Sequence, residues 1–121
     1  MITGTVSGRR AFFDLDVRGP SGREARVEFV LDTGFTGVTT LPPDACEALD
    51  LPFLRSQPSG LADGSQVMLE VYEATLVWGG VERQVEVLAI TSAPLIGMTL
   101  LEGYDVHLQV AEGGLVTIEP L

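Results

Sequence analysis

Phe29-Val30-Leu31-Asp32-Thr33-Gly34-Phe35-Thr36-Gly37 is the segment on which the interpretation of this sequence turns. Three apolar residues run into a carboxylate, a hydroxyl and a glycine. A buried strand therefore ends in an acid at a tight loop emerging from the core. Gly34 and Gly37 let the backbone turn closely around Asp32 and aim amide donors at its carboxylate. Asp, Thr and Gly are also ordinary residues for a strand-ending turn. From average residue usage, an Asp-Thr-Gly triplet arises by chance in roughly 2–3% of chains this long. The triplet alone does not separate the two readings, and the flanking sequence has to decide between them.

Upstream, Ala11, Phe13, Leu15 and Val17 alternate with Phe12, Asp14, Asp16 and Arg18, the pattern of a half-buried strand. Gly19-Pro20-Ser21-Gly22 is a turn. Ala25, Val27, Phe29 and Leu31 then alternate with Arg26, Glu28 and Val30, completing a hairpin that delivers Asp32. Downstream, Val38–Leu41 reads as a short strand. Pro42-Pro43 opens a short helix over Asp44–Leu49, because proline suits a first helical turn and Asp44 complements the helix dipole.

Residues 54–78 read as a long hairpin with its tip at Leu61-Ala62-Asp63-Gly64-Ser65, since Asp-Gly is a pair that tight hairpin turns demand. The return arm presents Val67, Leu69 and Val71 on one side and Met68, Glu70 and Tyr72 on the other. Gly79-Gly80 turns the chain into an alternating strand over Val81–Ile90. Leu95-Ile96 is a short buried strand, followed by a helical turn near Met98–Glu102. Val106, Leu108 and Val110 form one face of a strand, and Glu112-Gly113-Gly114 turns it back into Leu115–Glu119. The expected architecture is mainly β and hairpin-rich, one domain over residues 1–121 with one or two short helices.

Composition narrows the function classes. The 121 residues hold 7 basic and 17 acidic side chains, a net charge of −10, with 45% hydrophobic and 20% charged residues. That is enough apolar material for one core. No basic stripe exists for nucleic acid, and an anionic membrane surface is disfavoured for the same reason. No apolar stretch approaches a membrane span, and Met1-Ile2-Thr3-Gly4-Thr5 lacks the pattern of a secretory signal. A single cysteine, Cys46, forbids an intrachain disulfide and fits a reducing, cytoplasmic setting. One Cys and one His fall short of the usual zinc ligand set within one chain.

Other candidates carry less. His107 lies on the polar side of its strand with Asp105 and Gln109, so a solvated histidine is expected. Cys46 reads as a quiet structural thiol, since a nucleophile needs an activating neighbour. Asp14–Gly19 faintly mimics a calcium loop, but Arg18 and Ala25 stand where oxygen ligands are required. Trp78 and Tyr72 read as sheet-packing residues, and Glu82 and Glu86 as a solvated strand face.

Leu95-Ile96-Gly97, running into Met98-Thr99-Leu100-Leu101, completes the set. With Leu31-Asp32-Thr33-Gly34 and the tip Ala62-Asp63-Gly64, the chain resembles the retropepsin-like aspartic proteases (clan AA), particularly their small prokaryotic members. The resemblance runs from about Arg10 to the C-terminal hairpin. It implies the closed β fold of an acid-protease half-lobe, with Asp32 as the catalytic aspartate. Thr33 would lock the two active-site loops through a hydroxyl-to-backbone bond across a dimer, and Gly34 would permit the loop turn. Leu95, Ile96 and Gly97 would cross the loop at the back of the site. Leu61, Ala62, Asp63, Gly64 and Ser65 would form a mobile flap over a peptide. Two positions depart from the viral pattern. Phe35 stands where viral members carry a small residue at the cleft floor, so it would narrow a side-chain pocket. Met98 stands where they carry an arginine.

The chemistry sets the stoichiometry. Peptide hydrolysis without metal or cofactor can use two carboxylates sharing one proton, one as base toward water and the other as acid toward the carbonyl. Like charges about 3 Å apart repel by on the order of 5 kcal/mol at an effective dielectric near 20, so the pair retains one proton over a wide pH range. With one Asp-Thr-Gly per chain, the pair must come from a homodimer about a two-fold axis. The expected partners are a second copy and a peptide or protein substrate. The rival expectation is a non-catalytic β domain that keeps this fold for peptide binding or assembly.

Overall fold

Period-2 alternation puts every second side chain on one face of a strand, and in this molecule those faces wrap around a shared interior. The computed structural model describes residues 1–121. Its strands are β1 (Ile2–Ser7), β2 (Arg10–Arg18), β3 (Glu24–Leu31), β4 (Thr39–Leu41), β5 (Phe53–Gly60), β6 (Gln66–Trp78), β7 (Val81–Ala89), β8 (Leu95–Ile96), β9 (Tyr104–Leu108) and β10 (Leu115–Pro120). Two short helices, α1 (Pro43–Ala48) and α2 (Met98–Leu101), follow β4 and β8. The sheet order is β5-β6-β7-β4-β8-β3-β2-β1-β10-β9. β6 also pairs with β2 through Val17↔Leu76 and Arg18↔Thr75, which folds the sheet back on itself.

Eight of the ten strand pairings are antiparallel, and five of these are hairpins between consecutive strands, with turn chemistry at Gly19–Gly22, Leu61–Ser65 and Gly79-Gly80 marking three of them. The exceptions lie at the centre. β3 pairs β8 in parallel, Leu31 opposite Ile96, and β4 pairs β7 in parallel, Thr40 opposite Leu88. Parallel neighbours cannot be joined by a hairpin, so chain segments distant in sequence meet there. Asp32 lies at that junction.

The core takes Phe13, Leu15 and Val17 from β2, Phe29 and Leu31 from β3, Leu76 and Trp78 from β6, and Val85 and Val87 from β7. Val116 and Ile118 of β10, Cys46 and Leu49 from the α1 region, and Leu100 and Leu101 of α2 pack with them, as do Ile2 and Val6 of β1 and Ile96 of β8. Trp78 stands edge-on to Phe13 at 6.3 Å and to Tyr104 at 5.5 Å between ring centroids. A fully buried Val, Leu, Ile or Phe side chain contributes about 1.5–3 kcal/mol.

Two features differ from the sequence expectation. β1 is a full strand flanked on both sides, by β2 and β10, although Ile2-Thr3-Gly4-Thr5-Val6 carries little apolar signal. Gly4 makes that position possible: a Cβ there would collide with the Phe12 carbonyl oxygen and lie 2.8 Å from Phe13 Cβ. At the other end, β9 stops at Leu108, so Val110 falls outside the strand it was expected to share with Val106. Leu108 and Val110 are 41% and 72% exposed. β9 is an edge strand, and nothing in the chain covers that side of its end. No helix is long and apolar enough to cross a membrane.

Candidate active site

The backbone around Asp32 is anchored before its side chain is considered. Val30 N–H donates to the Pro94 carbonyl at 2.8 Å and Asp32 N–H to the Ile96 carbonyl at 3.0 Å, fastening the end of β3 to β8. From its other side, β8 is held by two threonines of β4. Thr39 Oγ1 donates to the Leu95 carbonyl at 2.8 Å, and Leu95 N–H donates to Thr40 Oγ1 at 3.0 Å. Both threonines are buried, 2% and 0% exposed, so each hydroxyl has its partner where water cannot supply one.

The chain then turns. Gly34 N–H donates to Asp32 Oδ1 at 2.9 Å, and Phe35 N–H donates to the Asp32 carbonyl at 3.2 Å. One carboxylate oxygen is thus held by an amide, while Asp32 remains half-buried and Thr33 and Gly34 are exposed. The following residues are stitched to the start of α2. Gly97 N–H donates to the Val38 carbonyl (2.9 Å), Met98 N–H to Phe35 (2.8 Å) and Thr99 N–H to Gly37 (3.2 Å). The Thr99 hydroxyl donates to the Thr36 carbonyl. Gly97 is buried with an ordinary φ of −105°, so it is needed for room and not for conformation. A Cβ there would overlap the Gly37 carbonyl oxygen and sit 2.5 Å from Phe35 Cδ2.

Asp32, Thr33, Gly34 and Phe35 are therefore brought together with Leu95, Ile96 and Gly97. The hairpin residues Leu61–Ser65 stand apart, and their hydrogen bonds run within the tip. Leu61 N–H donates to the Ser65 carbonyl at 2.8 Å and Gly64 N–H to Leu61 at 3.0 Å, with Gly64 at φ +86° where a side chain would be strained. Asp63 Oδ1 accepts from the Ser65 hydroxyl (2.5 Å) and the Ser65 amide (2.9 Å), which together hold its carboxyl below the usual aspartate range. Ser56–Gly60 and Gln66–Glu70 pair only with each other, so the distal hairpin is a two-stranded ribbon. Leu61, Val67 and Met68 are 48%, 39% and 63% exposed on it.

The ribbon is braced at its root. Arg55 makes a two-pronged ion pair with Glu86 of β7, at 2.5 and 3.0 Å, and this pair lowers the Glu86 carboxyl. Both partners are half-exposed, so the pair contributes little to stability. Tyr72 donates to Glu70 at 2.5 Å, which pushes its phenol up to about 12, and its ring stands edge-on to Phe53.

Cys46 is 1% exposed, and burial pushes its thiol up to about 11, the opposite of an activated nucleophile. His107 is exposed and lies 3.1 Å from Asp105, as a solvated histidine should. Thr36, Gly37, Thr39, Thr40 and Thr99 belong to the site's framework, although only Gly37 stands out in the sequence. Two adjacent threonines inside the otherwise apolar strand Val38–Leu41 are the available signal for Thr39 and Thr40, and Thr36 and Thr99 carry none. Cavities of about 430 and 470 Å³ lie elsewhere, one lined by Trp78, Tyr104 and Ile118, the other by Val6, Arg9 and Val110.

No family model and no curated protein matches the chain. Among solved structures it is similar to a retropepsin-like aspartic protease from Rickettsia conorii, at 15% sequence identity and a TM-score of 0.58. The match covers 99% of this chain and 90% of that one. At this identity the likeness concerns the fold.

Proposed function

We propose that this chain, which has the retropepsin-like fold, is an aspartic endopeptidase active as a homodimer on extended peptide segments. The observation that carries the reading is the setting of Asp32: a half-buried carboxylate, one oxygen held by the Gly34 amide, on a loop anchored to Ile96 and clamped by residues 97–99. A group held this firmly and still open to solvent supports a chemical role over a packing one.

One such carboxylate cannot be base and acid at once. A two-fold axis beside the Asp32–Gly34 turn would bring two together, with Thr33 at the junction. One carboxylate then takes a proton from a water while the other, protonated, donates to the scissile carbonyl oxygen. Two copies of the chain supply both groups, so the scheme requires neither metal nor cofactor. The substrate would lie between the pair and the Leu61–Ser65 flap, held by strand-like hydrogen bonds. Leu95, Ile96 and Gly97 would cross at the back of each half-site.

The reading is tested by incubating the purified protein with a diverse peptide library from acidic to neutral pH and following cleavage alongside sedimentation. Cleavage should require the dimer, and specific activity should fall on dilution. Full activity in a strictly monomeric protein would rule the scheme out.

A further inference from the structure

Phe35 follows the Asp32-Thr33-Gly34 turn and is half-buried. Its backbone is committed in both directions, the N–H donating to the Asp32 carbonyl at 3.2 Å and the carbonyl accepting from Met98 N–H at 2.8 Å. Its ring lies over two glycines. A Cβ on Gly37 would meet the ring at Cζ, with Cε1 at 2.7 Å and Cε2 at 3.3 Å, and these ring atoms are its three nearest neighbours. A Cβ on Gly97 would meet Phe35 Cδ2 at 2.5 Å together with the carbonyl oxygens of Gly37 and Phe35. Neither glycine has the left-handed backbone that would itself demand glycine. At Gly37 the whole requirement comes from the ring.

We propose that Phe35 is a positioning residue for Asp32, its ring seated on the Gly37–Gly97 pair where β8 crosses the loop, and that it does not serve as a substrate-pocket wall. This rests on the reading of Asp32 as the catalytic group. The ring joins the two segments of the crossing through side-chain packing, next to the hydrogen bonds that join them through backbone. With it seated, the turn carrying the carboxylate has one resting place against Ile96 and Gly97. Without it, the carboxylate swings on a loop held by hydrogen bonds alone, and a displacement of about 1 Å at a reacting group costs about 10²-fold in rate.

The structure also names the residue that must change in concert. Gly37→Ala should be harmful while Phe35 is present, because the methyl and the ring claim the same space. In a Phe35→Ala background the same change should be nearly neutral. Gly97→Ala should be rescued less, since its Cβ also meets two backbone oxygens.

The test is a double-mutant cycle on the full-length protein, with melting temperature, kcat, KM and cleavage-site preference measured for Phe35→Ala, Phe35→Leu, Gly37→Ala and the Phe35→Ala/Gly37→Ala pair. Phe35→Ala should lower kcat by about 10–100-fold with KM and cleavage preference unchanged, and Phe35→Leu should recover part of the loss. The drop in melting temperature caused by Gly37→Ala should vanish when Phe35→Ala is already present. Phe35→Leu serves if the alanine variant does not fold. An unchanged kcat with a new preference for larger substrate side chains would overturn the proposal and leave the protease reading intact. A wild-type protein without peptidase activity would overturn both, and the melting cycle would then report packing only.

Discussion

Asp32 and Asp63 make the same local structure. Each aspartate accepts, through Oδ1, a hydrogen bond of 2.9 Å from the amide two residues on, Gly34 in one case and Ser65 in the other. Each precedes a glycine within a short turn. Their surroundings differ. The segment from Val30 to Val38, which carries the Asp32 turn, is tied by at least six hydrogen bonds to residues 94–99, far along the sequence. The Asp63 turn is tied only to its own hairpin, and all five tip residues are exposed. An Asx turn is generic chemistry. What separates a candidate catalyst from a hairpin tip is the framework behind it.

The most demanding test of that distinction makes the same change at both turns. Asp32→Asn should reduce peptide hydrolysis by ~10²–10⁴-fold, the usual loss for a general acid–base group, with circular dichroism and sedimentation unchanged. Asp63→Asn should leave rates within a few-fold, since asparagine supports the same turn. Equal losses at the two positions would mean that the framework does not distinguish them.

The next contrast concerns stability. Thr40→Val leaves the half-buried Leu95 N–H without its acceptor and should cost about 1–3 kcal/mol in denaturant unfolding. Ser65→Ala removes a hydroxyl bond in an exposed tip and should fall within about 0.5 kcal/mol of wild type. A smaller contrast concerns motion. Hydrogen exchange at Leu61–Ser65 should be fast in the free protein and slow with a peptide-like inhibitor, while Asp32 and Val30 amides stay protected in both states. Tip exchange that is equally slow in both would contradict a closing flap.

The mildest consequence is a pH dependence at the tip. The Ser65 hydroxyl and amide hold the Asp63 carboxyl below its usual range. Its contribution to tip order is therefore present above the ordinary aspartate range and lost as pH falls through the lowered value. Tip amide protection should fall in acid, and Asp63→Asn should abolish that pH dependence without altering protection at neutral pH.

Much of the fold is legible in the sequence because the signals are local. Alternation marks β2, β3, β6 and β7, and Asp63-Gly64 marks the tip, with its bounds reproduced by the strands ending at Gly60 and starting at Gln66. Asp32-Thr33-Gly34 is visible as an acid ending a buried strand. β1 is not, because Thr and Gly dominate it and its place depends on β10, more than a hundred residues away. Val110 reads as part of a strand face with Val106 and Leu108, because alternation says which side chains share a face but neither where the strand stops nor whether anything covers it.

At the site the division runs between residue type and company. The order of residues is enough to put an acid, a hydroxyl and glycines together at a strand end, since a strand period and a turn preference act over a few residues. It is not enough to say that Thr39 and Thr40 hold Leu95, that Thr99 closes on Thr36, or that the Phe35 ring lies against Gly37 and Gly97. Those contacts exist only in the folded chain. They arise where β3 and β8 meet in parallel, and a parallel pairing has no hairpin to announce it. Its partners are selected by how the whole sheet closes around one core.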